Sequence, residues 1–229
     1  MAVNTVLFDL DNTLFDFNKA ERIALSKTLL QLGIEPVDSV LDRFSQLNLA
    51  QWKLLEQGKL NRTQVKVRRF QLLFNEMGVH QEAQEAAKIY ESLLGIGHFF
   101  MDGAEQLLDI LVPRYDLYLV TNGTARVQRS RIQSAGLERY LKGIFISEEI
   151  GFDKPSLAYF SRCFERIPGF EKQAAVIVGD SLTSDIQGGK NAGIRTIWFH
   201  PSHECNHSDI IPDYEIHRLS ELPALLQSL

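Results

Sequence analysis

Four aspartates, one threonine and one lysine stand where the apolar runs of this chain end. The first run, residues 3–8, closes on Asp9-Leu10-Asp11-Asn12-Thr13. A later run, 117–121, closes on Thr121-Asn122-Gly123, and another, 175–179, on Gly179-Asp180-Ser181-Leu182-Thr183-Ser184-Asp185. Lys154 precedes Pro155 just ahead of a helical stretch. Gathered at one edge, four carboxylates repel and raise one another's pKa. A hard divalent cation relieves that repulsion, and carboxylate oxygens are what Mg2+ prefers. The same set suits phosphoryl transfer, which needs charge neutralisation and positioning more than elaborate covalent chemistry. A carboxylate can serve as its nucleophile through an aspartyl-phosphate. Asp9 and Asp11, spaced i and i+2, point to the same side of an extended chain. One could attack phosphorus while the other handles the proton of the leaving group.

Such residues need a scaffold that brings strand ends together. The run at 3–8 is apolar without alternation and reads as a strand buried on both faces of a parallel sheet. Similar runs recur at 117–121, 143–147, 175–179 and 194–199, and helix-length stretches at 103–112, 125–135, 156–166 and 184–192 separate the later ones. This alternation predicts an α/β fold with a Rossmann-like, doubly wound parallel sheet. Ligands of such sheets bind at the carboxyl ends of the strands. From about residue 18 to 94 the alternation stops and four helical stretches take its place. Asn18 with Glu21 has the form of a capping box, Leu25, Leu29 and Leu32 follow on one face, and Gly33 and Pro36 end that helix. Asp38 or Ser39 opens a second helix that Gly58 stops. Residues 61–77 and 81–94 form the third and fourth, closed by Gly78 and Gly95. The block is an insertion after the first strand. The core is therefore expected at 1–15 and 98–229, and an all-helical cap at 16–97.

Composition narrows the functional classes. With 229 residues, 45% of them hydrophobic and 23% charged, the chain is neither disordered nor collagen-like. That length suits one domain with a sizeable insertion as well as two in series. A net charge of −5 gives no footprint for binding a nucleic acid polymer, which needs a basic face. Cys163 and Cys205 cannot make a disulfide framework, so a reducing compartment is the expectation. The N-terminal apolar run is broken by Asp9 and Asp11 and has no positive flank, unlike a signal peptide. The apolar stretches fall short of the roughly 18 residues that a membrane span requires. A soluble, cytoplasmic protein is expected.

Asp9, Asp11 and Thr13, then Thr121, Lys154, and Asp180 with Asp185 resemble, in this order, motifs one to four of the haloacid dehalogenase superfamily. The helical insertion is similar to the mobile cap of its first cap class. The resemblance implies a phosphomonoesterase that needs Mg2+, with Mn2+ or Co2+ as substitutes. Carried over by position, it makes Asp9 the nucleophile and Asp11 the general acid and base. Thr121 and Lys154 would bind and neutralise the transferring phosphoryl group. Asp9, Asp11 through its backbone carbonyl, and Asp180 would hold the metal, with Asp185 close behind. Dehalogenases of the superfamily lack a carboxylate at the place of Asp11, because a leaving halide needs no proton. Asp11 thus favours a phosphatase, although mutases share the pattern.

A narrower resemblance joins Trp52 and Gln57-Gly58, the strand end Val120-Thr121-Asn122-Gly123, and Ile146-Ser147-Glu148-Glu149-Ile150-Gly151 before Lys154-Pro155. Gly179-Asp180 through Gly188-Gly189-Lys190-Asn191-Ala192-Gly193 completes it. These segments are similar to the pyrimidine 5′-nucleotidases of the superfamily and imply UMP, dUMP and dTMP as substrates. Asp102-Gly103 departs from the Pro-Gly often found in relatives, which touches the hinge and not the chemistry. The alternatives are a small sugar-phosphate or phosphoglycolate phosphatase, a phosphomutase, and a catalytically idle binding protein on the same fold. Retention of Asp9 and Asp11 argues against the last.

Several other residues carry weaker signals. Asn122-Gly123 reads as a turn that can also offer backbone N–H groups to a phosphate oxygen. Phe15, Phe17 and Trp52 are candidates to stack on a pyrimidine, although aromatics at helical spacing more often build a core. Arg68-Arg69 could meet an anion but fits a solvated helix face better. His200, His203, Cys205 and His207 together look like a transition-metal set. Their loop carries Pro201 and Ser202 and no element to fix the ligands, which weighs against a structural zinc site. Cys163 reads as a small buried hydrophobe.

Overall fold

The computed structural model describes residues 2–202 and 205–229. The chain divides into two units. Residues up to Asp16, Phe100–Ala125 and Ala135–Leu229 form the sheet unit, and Phe17–Phe99 with Arg126–Ser134 form the helical unit.

The sheet unit is built on six parallel strands: β1 (Thr5–Phe8), β2 (Asp116–Thr121), β3 (Gly143–Ile146), β4 (Ala175–Gly179), β5 (Arg195–Phe199) and β6 (Tyr214–Ile216). Their order across the sheet is β3-β2-β1-β4-β5-β6. The α/β expectation holds. Val6, Leu7 and Phe8 of β1 and Val176, Ile177 and Val178 of β4 are fully buried. Both faces of these strands are covered, which is why their sequences run apolar without alternation. The strand order reverses between β1 and β4, which pair from Thr5↔Ala175 to Phe8↔Val178. At such a reversal the loops beyond the two strands diverge and leave a crevice at their carboxyl ends. β6 has no counterpart among the five expected strands. It is three residues long, follows Pro212 and Asp213, and pairs only with β5.

The helical unit contains α1 (Phe17–Gln31), α2 (Asp38–Glu56), α3 (Arg62–Met77) and α4 (Ala83–Leu94). Leu25, Leu29, Phe44, Phe70, Leu73 and Tyr90 fill its apolar centre. Each contributes roughly 1.5–3 kcal/mol by leaving water. α3 has a complete capping box between Asn61 and Gln64 and ends on Gly78 at φ 65°, the left-handed conformation that glycine adopts at no steric cost. The capping box expected at Asn18 does not form. α1 already begins at Phe17, and the Glu21 side chain turns inward to Ser45 and Asn48.

The remaining helices are α5 (Ala104–Leu111), α6 (Ala125–Ser134), α7 (Ser147–Ile150), α8 (Leu157–Phe164), α9 (Gln187–Ala192) and α10 (Leu222–Ser228). The helix expected at 184–192 is two pieces, a π-helical turn at Leu182–Ile186 followed by α9. Arg126–Ser134, placed with the core by the sequence, clusters with the helical unit. Val127 enters that unit's apolar centre, and Arg131 Nε donates to the Gly97 carbonyl at 2.7 Å. No helix among the described residues is long and apolar enough to cross a membrane.

Candidate active site

Asp9 follows β1, and its N–H continues the sheet ladder to the Val178 carbonyl at 2.9 Å. The chain then folds back on itself. The Leu10 carbonyl accepts the N–H groups of Leu14 and Phe15 at 2.9 and 2.8 Å, and Asn12 sits at φ 59°, a conformation that Asn tolerates better than most residues. The turn leaves Asp11 half-buried and Thr13 fully buried. Asp180 follows β4, next to Asp9 across the β1–β4 pair. Asp185 is carried on the π-helical turn, whose first N–H groups are capped by the Ser181 hydroxyl, which accepts from Ser184 N–H at 3.2 Å. The turn packs so closely on β4 that a Cβ at position 179 would stand 2.3 Å from the Asp185 carboxyl. Only glycine fits there.

Lys154 occupies the centre of this group. Its side chain is 1% exposed, and Nζ donates to Asp9 Oδ1 at 2.6 Å, to Asp185 Oδ1 at 2.6 Å and to the Val120 carbonyl at 2.8 Å. An ammonium has three protons, so its donors are fully used. The backbone of Lys154 is held as well. Asn122 Nδ2 donates to the Lys154 carbonyl at 2.9 Å, and Lys154 N–H donates to Asn122 Oδ1 at 2.8 Å. The Lys154-Pro155 peptide is cis. Two further bonds tie the segment that leads from β2 into α6 to the start of α7. Gly123 N–H donates to Ser147 Oγ at 3.3 Å, and Ala125 N–H donates to Glu148 Oε2 at 2.6 Å. Thr121, at the end of β2, is 1% exposed.

Of the two backbone N–H groups expected to serve a phosphate, that of Gly123 has a partner in the Ser147 hydroxyl. The Asn122 side-chain amide is engaged with Lys154. Ser147 and Glu148 received no role from the sequence, and the signal for them was available: two polar residues directly after the apolar strand β3.

Asp9, Asp180 and Asp185 offer carboxylate oxygens that all lie within 4.8 Å of one another. The Asp11 carboxylate is not in this group, so a metal role for Asp11 rests on its carbonyl alone. Burial is the main influence on Asp9 and lifts its pKa to about 7; Lys154 opposes the rise, and Asp185 and Asp11 add to it. Asp180 is raised well above the ordinary carboxylate value by burial, Asp9 and Asp185. Burial works against the Lys154 ammonium, yet Asp185 and Asp9 hold its pKa above that of an ordinary lysine. With all three carboxylates ionised against one ammonium, two negative charges are uncompensated, a repulsion to which the raised pKa values of Asp9 and Asp180 correspond. A divalent oxygen-seeking cation matches that deficit in both charge and ligand type.

Other candidates lie elsewhere. Phe15 is fully buried, its ring edge-on to Phe100 with centroids 5.0 Å apart, so it packs the turn after β1 and offers no face to a substrate. Phe17 opens α1, half-buried, with the Arg131 guanidinium 5.8 Å from its ring centroid. Trp52 is half-buried on α2. Arg68 is exposed, but Arg69 is buried, donates to Asn48 Oδ1 at 2.9 Å and lies over the Tyr90 ring; the solvated face expected for the pair applies to Arg68 only. Cys163 is buried, and burial pushes its thiol up to about 12. His203 lies outside the described residues. His200 is buried and stacked on Trp198, whereas Cys205 and His207 are exposed. Among the described residues, Asp9, Asp180 and Asp185 are the only group of three or more His, Cys, Asp or Glu placed to share a metal.

The haloacid dehalogenase-like hydrolase family matches residues 6–199, which span every residue of this cluster. The chain belongs to that family. As a haloacid dehalogenase-like hydrolase it is 40% identical over 222 residues to the HAD-hydrolase YfnB of Bacillus subtilis, covering 97% of this chain and 94% of that one. It is 39% identical over 218 residues to the pyrimidine 5′-nucleotidase PynA of Streptococcus pneumoniae, covering 95% and 92%. The crystal structure of YfnB bound to magnesium superimposes on this hydrolase with a TM-score of 0.94, covering 99% of both chains.

Proposed function

We propose that this hydrolase cleaves nucleoside 5′-monophosphates, pyrimidine nucleotides such as UMP, dUMP and dTMP first among them, through a phosphorylated Asp9. The observation that carries the reading is the buried carboxylate cluster with Lys154 at its centre, in a chain 39% identical to a pyrimidine 5′-nucleotidase.

Lys154 holds Asp9 Oδ1, so attack falls to the other carboxylate oxygen. That oxygen forms a bond to phosphorus as the bond from phosphorus to the nucleoside oxygen breaks. Asp11 gives its proton to the departing oxygen. In the second step the Asp11 carboxylate takes a proton from water as the water attacks phosphorus. Inorganic phosphate leaves, and Asp9 is a carboxylate again. Thr121 binds a phosphoryl oxygen, and Lys154 sets positive charge beside the forming bond. Asp9, Asp180 and the Asp11 carbonyl would hold Mg2+, with Asp185 beside them. When bound, the cation supplies positive charge against the phosphoryl oxygens. Mn2+ and Co2+ are proposed as substitutes, having the same charge and tolerating the same oxygen ligands. Base selection is assigned to the helical unit, where Phe17 and Trp52 are the aromatic candidates.

The test is phosphate release from UMP, dUMP, dTMP, AMP, phosphoglycolate and hexose phosphates. Preference for the pyrimidine nucleotides is expected. Equal rates on nucleotides and sugar phosphates would remove the nucleotidase reading and leave the phosphatase. No turnover of any of them with Mg2+, Mn2+ or Co2+ would remove both.

A further inference from the structure

The peptide group that follows Asp180 is gripped at both ends. Its carbonyl, Asp180 O, accepts the indole Nε1–H of Trp198 at 2.8 Å. Its N–H, on Ser181, donates to Asp185 Oδ2 at 3.0 Å. A planar peptide held at its oxygen and its nitrogen cannot rotate, so the torsion that aims the Asp180 side chain is set from outside Asp180. The two bonds also polarise one another through the peptide, so the Trp198 bond strengthens the one to Asp185.

The indole is itself fixed. Trp198 lies on β5, in register with Gly179 of β4, and is buried. The His200 imidazole stacks on it with centroids 3.6 Å apart and planes inclined by 11°. His217 stands edge-on to His200 at 4.3 Å and bonds through Nδ1 to the His200 carbonyl at 3.1 Å. Glu215 Oε2 lies 3.3 Å from His200 Nε2. Residues just beyond β5, on β6 and just beyond β6 thus brace one indole. The histidine that looked like a metal ligand in the sequence serves this brace.

We propose that Trp198 is a positioning residue for the divalent-cation site, acting through the Asp180–Ser181 peptide to aim Asp180 toward Asp9 and Asp185. The inference rests on the metal reading of that cluster given above. Groups that orient a metal ligand from behind typically change metal affinity 10–100-fold. Trp198→Phe keeps a ring for His200 to stack on and removes only the N–H.

The experiment titrates Mg2+ into metal-stripped protein by calorimetry, with no substrate present. The expected result is a dissociation constant about tenfold higher for Trp198→Phe than for wild type. Its kcat returns to near the wild-type value at saturating Mg2+, which a general loss of structure would not allow. A folded Trp198→Phe variant that binds Mg2+ within twofold of wild type overturns the inference. Wild type that binds no Mg2+ overturns the metal reading and this inference together. A second measurement needs no stable Trp198→Phe protein. The chain has two tryptophans, so its NMR spectrum holds two indole N–H signals, separable with Trp52→Phe. Mg2+ shifts the Trp198 signal if the inference holds; a Trp198 signal that stays fixed while calorimetry records binding overturns it.

Discussion

In the helical unit, the buried acid Glu21 accepts from Ser45 and from Asn48 at 2.7 Å, and Asn48 in turn accepts from the buried Arg69 at 2.9 Å. One carboxylate and one guanidinium are joined through an amide and balance. In the sheet unit, Lys154 faces Asp9 and Asp185 with Asp180 beside them, and the charges do not balance. Burial raises the pKa of both Glu21 and Asp9, so depth and a displaced pKa alone do not separate the two clusters. The separating property is residual charge. A buried network that neutralises itself needs nothing further and serves structure. One left negative by ionisation must hold a proton or a ligand of opposite sign, and that need is what makes it a site.

The largest expected effect is on turnover. Asp9→Asn removes the nucleophile and should lower phosphate release at least ~10⁴-fold, with the fold unchanged by circular dichroism. Asn at this position retaining a tenth of the activity would mean that Asp9 is a ligand only. The next pair of variants sets the two clusters against each other. Arg69→Met and Lys154→Met each strand buried carboxylates, at a cost of about 3–5 kcal/mol. The loss in Lys154→Met should shrink when Mg2+ is added, since one cation stands in for another. The loss in Arg69→Met should be the same with Mg2+ or with a chelator, as read by denaturant midpoints. Equal metal dependence of both would erase the distinction.

A smaller effect concerns the Asn122 clamp. Two neutral hydrogen bonds of about 1 kcal/mol each hold the Lys154 backbone. Asn122→Ala should therefore lower kcat by up to about 30-fold. In a Lys154→Met background the same change should add little, because its effect passes through the lysine. Full additivity would instead point to Asn122 touching the substrate.

These contrasts also mark how far the sequence is legible. Asp9 and Asp180 stand directly at strand ends, Asp185 follows Asp180 by five residues and Lys154 precedes a proline, so local pattern and the sheet rule suffice to gather them. The Asn122 clamp joins residues 32 apart, and no periodicity signals which backbone an amide will meet. Glu21 illustrates a conflict between two patterns. Its spacing from Asn18 mimics a cap, yet it also stands four residues before Leu25 and eight before Leu29, on the buried stripe. Tertiary partners on α2 decided the outcome, and Arg69, flanked by Val65 and Leu73 on the buried face of α3, follows the same logic. β6 escaped because three residues carry too little pattern. The sequence likewise could not assign Arg126–Ser134 to the helical unit, since that depends on which neighbour a helix finds after folding.

The smallest expected effect is a pH dependence of the metal-free protein. The Asp9 carboxyl rises from an ordinary 3.8 to about 7 in the folded chain, chiefly through burial. Between those values the folded protein keeps a proton that the unfolded chain releases. Stability therefore falls as pH rises through this window, the reverse of an ordinary paired carboxylate. A divalent cation competes with that proton for the same oxygens. Saturating Mg2+ should accordingly raise Tm by roughly 3–5 °C more at pH 8 than at pH 5.5. Asp9→Asn, which has no proton to lose, should flatten the metal-free slope by a similar amount. Glu21 supplies the internal control: its cluster meets no cation, so Glu21→Gln should leave the difference in Mg2+ response between pH 5.5 and pH 8 intact. A Glu21→Gln variant that abolished this difference would show that residual charge does not distinguish the two clusters after all.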